Sequence, residues 1–521
     1  MIDFARLTTP VGDGDLLLEP PPARWQEVSA ANAAAFAGPP SGKRLATFAD
    51  RRRRTRAALG YKDRTPLIVV GHQPEFMHAG VFAKNIAAAS FAGACGGSVL
   101  NLVVDNDVPR SPNLRVPVVS GPSVGLVDLP VLPVRAGIPY EHLGRVTSDA
   151  LTRVVDRTRD LLGEAWPSSL MPLFMSGATK HGADADWVDV MSAGRRNVER
   201  ALGLELRDLR VRDLPWHDFV GEVLLRHNEF AEMHNAALAE YRRTQGVRGG
   251  NRPIPDLTRR GDRIEVPFWL TRPDVPRRRC FARGRESRIE LIAEEDILFD
   301  IPVAALSPPC DMLQRVFAET GWAIRPRALT LTMWARVFLA DVFIHGIGGA
   351  KYDRITDPII QRFFGVAPPA YLCVSATLRL PIPDPPGAPP DLNPPVPTLR
   401  ELRFNPQRHI HPDAQTSPLL QARAAAVAEA VRLRFDRPRD ARARRAAFER
   451  IRGAGEALLA LRPDVVAAVR AAEASNAESA RTREIRLNRE YFFALHPRSR
   501  IEALARRIDA LIRSRADTGS F

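Results

Sequence analysis

The residues best suited to chemistry lie in one short stretch, Gly71-His72-Gln73-Pro74-Glu75, followed by His78, Gly80 and Lys84. Imidazoles beside a turn that opens a helix can donate hydrogen bonds to phosphate oxygens as charge develops in a transition state. The free N–H groups and positive dipole end of such a helix favour the same anions. Lys84 falls inside that helix, on a face the spacing leaves open. Asp105 and Asp107 form a second cluster, two carboxylates suited to a divalent metal, an amine or a ribose. The third is His345-Gly346-Ile347-Gly348-Gly349-Ala350-Lys351-Tyr352. Its glycines allow backbone to approach a ligand closely, and Lys351 offers a compact charge. Arg325 and Arg327 precede it and could clamp an anion. Neither GxxxxGK[ST] nor GxGxxG is present, and neither GxSxG nor HExxH occurs. His409 and His411 lack an evident third ligand, so no metal site is expected. Each cluster also has a plainer reading. His72 and Gln73 would satisfy backbone groups, the aspartates would cap or turn the chain, the glycines would end a helix, and the arginines would lie on the surface.

Elements must position these side chains. Pro66–Val70 is apolar and β-branched, a buried strand; Phe76–Ala94 has helical spacing; Ser98–Val104 is a second strand. Strand, turn, helix and strand describe a βαβ unit of a parallel sheet, in which ligands sit at the carboxyl ends of strands. Both the Gly71–Pro74 turn and the Asp105–Asp107 stretch follow such an end. Residues 1–65 read as a lead-in with a basic helix at RRRRTRAALG. The core is expected over 66–380, with a helical segment inserted at about 185–245 that includes one long amphipathic helix, Trp216–Arg243. Strands are expected over 262–305, and a helix, glycine turn and second helix over 324–364. A proline-rich linker spans 381–417, and 418–521 is helical, a hairpin or coiled coil. The most apolar run, Leu329–Ile347, carries Arg336 and Asp341 and reads as a buried helix rather than a membrane span.

Bulk properties bound the function. A chain of 521 residues implies several domains, and 45% hydrophobic content excludes wholesale disorder. Cys95, Cys280, Cys310 and Cys373 form no CxxC pair, so neither a disulfide framework nor a thiolate zinc site is expected. No signal peptide is evident at the N-terminus, and a cytoplasmic location is expected. The net charge is +14 and almost wholly arginine, with lysine only at 43, 62, 84, 180 and 351. Residues 421–521 hold 22 Arg against 13 Asp and Glu. That could be a polyanion surface or a solvated helical face. Interspersed acids and the lack of interleaved aromatics favour the second, so nucleic acid is not the expected partner.

The pattern resembles the bacillithiol synthase family of putative cysteine-adding ligases. Val69-Val70-Gly71-His72-Gln73-Pro74 stands where that family has a glycine-glutamine-glutamine turn, and Lys84 lies near its lysine. Val103-Val104-Asp105-Asn106-Asp107 is similar to its acidic strand end, Gly348-Gly349-Ala350-Lys351-Tyr352 to its glycine-glycine turn, and Tyr491-Phe492-Phe493-Ala494-Leu495-His496-Pro497 to its phenylalanine-proline turn. His72 replaces the family's first glutamine, Asn106 its histidine, and Lys351 falls near an expected glutamate. The HQPEFMHAG stretch also resembles, over one turn, the start of a group of sugar-biosynthesis proteins. The first resemblance implies an α/β fold: a Rossmann-like, nucleotidylyltransferase-like parallel-sheet core with a C-terminal α-helical coiled coil that dimerises. It also implies a ligase-like or nucleotidyl-transferring enzyme acting on a small amino- or carboxylate-bearing metabolite, with ATP or ADP and Mg2+ as the cofactors it brings to mind. On this reading His72, His78, Asp105, Asp107 and Lys351 do the chemistry. Gly71, Gln73, Lys84, Arg325, Arg327, His345, Gly346, Gly348, Gly349 and Tyr352 bind the substrate or nucleotide.

Overall fold

A computed structural model describes residues 2–37, 43–62, 65–109, 113–121, 123–133, 135–180, 185–245, 254–308, 310–383, 399–436 and 440–514. The fold is mixed α/β with a parallel sheet. Its strands, in chain order, are β1 (Leu16–Glu19), β2 (Leu67–His72), β3 (Ser98–Val103), β4 (Leu114–Ser120), β5 (Ser123–Leu129), β6 (Arg207–Arg210), β7 (Arg259–Arg260), β8 (Arg263–Arg272), β9 (Val275–Arg285), β10 (Arg288–Ala293), β11 (Asp296–Pro302), β12 (Ala323–Pro326), β13 (Val342–His345) and β14 (Tyr371–Ala376). The central sheet runs β1-β14-β13-β2-β3-β6. All its pairings are parallel except that of the edge strand β1 with β14. The second sheet, β11-β10-β9-β8-β12, is antiparallel throughout.

Strand order fixes where a ligand can go. The chain leaves β2 for β3 and then β6 on one side, and later enters β13 and then β14 on the other. Between β2 and β13 the winding reverses. Right-handed crossovers running in opposite directions put their helices on opposite faces, which opens a crevice at the carboxyl ends of these two strands. The helix after β2 is Ala79–Cys95, and the helix after β13 is Ile347–Ile359. β2 and β13 are buried where they pair, as the unbroken runs LIVV and VFI require of strands covered on both faces.

Several expectations change. Leu329–Ile347 is not one helix: a helix covers Ala328–Phe338 and β13 follows. Asp341 causes the break. Its carboxylate accepts from the Leu67 backbone N–H at 2.8 Å and from Arg52 at 2.7 Å, while its own N–H donates to Leu67 O. The basic "lead-in" helix is therefore structural. Arg52 and Arg56 are buried and donate to the carbonyls of Val337, Leu339 and Ala340, which the ending helix leaves unpaired. The lead-in also supplies β1. The stretch at 185–245 is no helical insert, because β6 lies within it and pairs with β3. The long helix expected over Trp216–Arg243 is two, His217–Leu225 and His227–Thr244, parted at Arg226.

The chain divides into two compact units. One comprises Met1–Val116, Val127–Leu380 and Arg489–Phe521; the other comprises Pro117–Leu126 and Pro381–Asn488. The tail from Arg489 thus belongs with the sheets rather than with the helical region. Phe493 stacks on Phe82 at 4.1 Å, and helix Arg498–Arg513 packs on Ala79–Cys95. Of the linker expected over 381–417, residues 384–398 lie outside the described residues, and the part after them is helical at Leu399–Phe404 and Pro406–Arg408 rather than extended. In the second unit, helices Ser417–Asp436 and Ala441–Leu461 pack together and Pro463–Leu487 follows. Their arginines pair with acids four residues on, Arg445 with Glu449 and Arg452 with Glu456, as on a solvated helical face. No helix among the described residues is long and apolar enough to cross a membrane.

Candidate functional site

A cavity of about 740 Å3 opens at the reversal between β2 and β13, within the range of small-molecule sites. Three helices begin on its wall. The first is Ala79–Cys95, whose N-cap is His78: the imidazole Nδ1 accepts from the Gly80 N–H at 3.1 Å. With Nδ1 so used, the neutral ring carries its proton on Nε2 as a donor. Burial, then the charges of Arg489, His72 and Lys84, push His78 down to about 3, so it is neutral at physiological pH. Gly80 is required here because a Cβ would lie 2.4 Å from Ala376 O. Lys84 is buried one turn further on and donates to Gly71 O at 2.7 Å. Burial lowers its ammonium to about 8.

His72 ends β2. Its Nε2 lies 3.3 Å from Glu75, whose other oxygen accepts from Tyr140 OH at 3.0 Å. Burial lowers the His72 pKa, with Glu75 opposing. Gln73 donates to Asp107 at 3.0 Å, and Asp107 also takes Arg277 at 3.0 Å.

The second helix, Ala328–Phe338, follows Arg327, which bonds Glu265 at 2.6 Å and lies over the Trp269 ring at 4.4 Å. Arg277 lies at 4.4 Å from the same ring. The third helix, Ile347–Ile359, begins at Gly346, and a Cβ at Gly346 or Gly348 would meet nothing within 4 Å. His345, the last residue of β13, gives or takes a 2.8 Å hydrogen bond between Nε2 and Asp353.

Gly71, His72, Gln73, His78, Lys84, Asp107, Arg327, His345, Gly346, Gly348 and Gly349 thus share one cavity wall. Four expected residues do not line it. Asp105 is fully buried, accepting from Arg210 at 2.9 Å and from the Arg212 N–H at 3.2 Å; burial and Glu141 push its carboxyl up to about 6. Arg325 forks onto Glu141 at 2.8–3.1 Å. Lys351 is exposed one turn into its helix, and Tyr352 packs against the core. Their separation from His72 follows from the missed strand: the glycines start a helix instead of ending one, and its continuation carries Lys351 outward.

Sequence reasoning missed Trp269, Arg277 and Arg489. Arg489 is held by Thr377 at 3.0 Å and Ser375 at 3.2 Å, both hydroxyls. Its position just before Tyr491-Phe492-Phe493, in a segment read as helical tail, gave no signal of its own. No protein-family model matches the chain, and no curated protein matches it.

Proposed function

We propose that the chain is a ligase-like or nucleotidyl-transferring enzyme with a Rossmann-like, nucleotidylyltransferase-like core. Its substrate would be a small amino- or carboxylate-bearing metabolite, as in the cysteine-adding step of bacillithiol synthesis. The observation that carries the reading is the cavity itself: it sits where the winding reverses, and three helix N-termini open on it together with Lys84, Arg327, Arg277 and Arg489. Such a wall suits the phosphates of ATP or ADP. His72, as an oriented neutral imidazole, and His78, through its Nε2–H, would donate to phosphate oxygens, and Gln73 and Asp107 would orient an amine or ribose. Lys84, Arg489, Arg327 and Arg277 would neutralise phosphate charge at this wall. The catalytic roles first considered for Asp105 and Lys351 are not part of it. A coiled-coil pairing of two copies through the second unit belongs to the same proposal; Val427, Val431 and Phe448 are exposed on its helices, as a partner surface would require.

Calorimetry and thermal shift with ATP, ADP and other nucleotides test this. Binding in the micromolar to low millimolar range, lost in His72→Ala, is the expected result. A folded protein that no nucleotide stabilises at millimolar concentration overturns it.

A further inference from the structure

We infer that His345 is the proton-transfer residue of this cavity and that Asp353 positions it. The inference rests on the nucleotide-site reading above, but its evidence comes from a different wall. Among the described residues four histidines line the cavity: His234 is buried beside Asn235 at 3.3 Å, and of the three at or just past the two central strand ends two are committed elsewhere. His78 spends Nδ1 on capping its helix, and His72 faces Glu75 at 3.3 Å, a carboxylate it shares with Tyr140. His345 alone of the three has a fully buried carboxylate partner, Asp353 at 2.8 Å.

That carboxylate is fixed as an anion. Burial opposes its ionisation, yet Arg336 at 2.9 Å and His345 hold it well below the ordinary carboxylate range, and Thr332 donates to its other oxygen at 2.7 Å. An ionised carboxylate only accepts, so His345 Nε2 carries a proton, and in the neutral ring Nδ1 holds the lone pair. Phe343 and Tyr371 pack against the ring at 4.5 and 5.0 Å and leave it one orientation. Glycine then keeps Nδ1 clear: a Cβ at Gly349 would lie 2.7 Å from it. The charged groups around the ring are Asp353 directly, with Arg336 and Asp357 behind it.

The role follows from the transfer chemistry. An acceptor amine or hydroxyl attacks a phosphorus or acyl carbon of the nucleotide-activated substrate. The pair of the breaking bond leaves on the phosphate or pyrophosphate, and the nucleophile's proton passes to His345 Nδ1. Asp353 balances the imidazolium so formed. His345 would be the base at the β13 end, while the cations at the β2 end hold the phosphates.

Two measurements on the full chain test it. Long-range proton–nitrogen NMR, assigned with His345→Gln, should find His345 protonated on Nε2 and bare on Nδ1 at neutral pH, and Asp353→Asn should shift it to a mixture. Hydrolysis of a nucleoside triphosphate, with water as acceptor, should show an acid limb in its pH–rate profile. His345→Gln should remove that limb and lower kcat by about 100-fold or more at unchanged nucleotide Kd. Gly349→Ala should lower kcat in the same way without unfolding the chain. An Nδ1-protonated His345, or turnover that keeps its rate and acid limb in His345→Gln, overturns the inference and leaves nucleotide binding standing. Failure to bind any nucleotide strikes the parent reading instead, and the tautomer still decides the ring's assignment.

Discussion

Replacing Lys84 with methionine should stabilise the protein at neutral pH while destroying its affinity for anions. The ammonium is buried, bonded to one carbonyl, and has no carboxylate partner among the described residues. Burial lowers its pKa from 10.5 to about 8, which corresponds to about 3 kcal/mol of folding free energy lost while the group is charged. The folded form binds the proton more weakly than the unfolded chain. The cost is therefore undiminished below pH 8, falls to about half by pH 9.5, and is gone above 10.5. Methionine fills similar space and removes that cost, at the loss of a hydrogen bond to Gly71 O worth about 1 kcal/mol. Lys84→Met should then gain about 2 kcal/mol at pH 7 and almost nothing at pH 9.5. Urea unfolding followed by tryptophan fluorescence measures this cleanly, because every tryptophan (25, 166, 187, 216, 269, 322 and 334) lies in the sheet-containing unit. The same variant should bind ATP or pyrophosphate roughly 10- to 100-fold more weakly, the worth of one charge-assisted bond. A variant that is less stable at pH 7, or whose gain does not shrink with rising pH, refutes the claim that Lys84 is held as a buried, uncompensated cation for a ligand.

Three further outcomes follow from the same geometry. Asp341→Ala strands buried Arg52 and Arg56 and the Leu67 N–H, so urea unfolding should show a loss of about 3–5 kcal/mol. Gly80→Ala drives a methyl into the Ala376 carbonyl, where only backbone can yield; it should cost about 1–3 kcal/mol by the same assay and weaken nucleotide binding by calorimetry. Arg489→Gln should lower pyrophosphate affinity by about tenfold, and Arg277→Gln should lower it too, because it leaves the Asp107 carboxylate uncompensated in the cavity wall.

The βαβ unit at Leu67–Val103 was legible because its strands are mostly apolar and its helix follows a proline- and glycine-marked turn. β6, RDLR, was not, because its charges answer to partners distant in sequence: Asp208 pairs with Arg195 and Arg196, and Arg210 with Asp105 and Asp186. β13 was hidden inside an apolar run whose hydrophobicity suits a buried helix equally well, and only the tertiary bonds of Asp341 divide it. The site shows the same limit. Residues adjacent to strand ends could be named from sequence. Asp105 could not be told from Asp107, since one-residue alternation on a turn sends one carboxylate to Arg210 in the interior and the other to the cavity. Arg277 and Trp269 come from the second sheet, Arg489 from the chain's far end, and nothing local marks them.

Charge compensation gives the cavity a direction. Arg277 is paired with Asp107 and Arg327 with Glu265, and both also lie against Trp269. Among the described residues Lys84 is bonded to a carbonyl and Arg489 to two hydroxyls, with Glu490 the acid beside Arg489. Positive charge without a bonded carboxylate therefore gathers beside the first turn of helix Ala79–Cys95; burial and then Arg489, His72 and Lys84 lower the His78 pKa, while Lys84 is lowered by burial. A ligand with one dianionic end offsets that charge only if that end lies there. Its less charged part is then left toward Trp269 and the neutralised arginines, and the β13 wall with His345 completes the enclosure. His72 and Asn106 line the cavity from the β2 and β3 ends, and Asn106 already donates to Pro326 O at 2.7 Å. The charge that would draw a phosphate rests on Lys84 and Arg489.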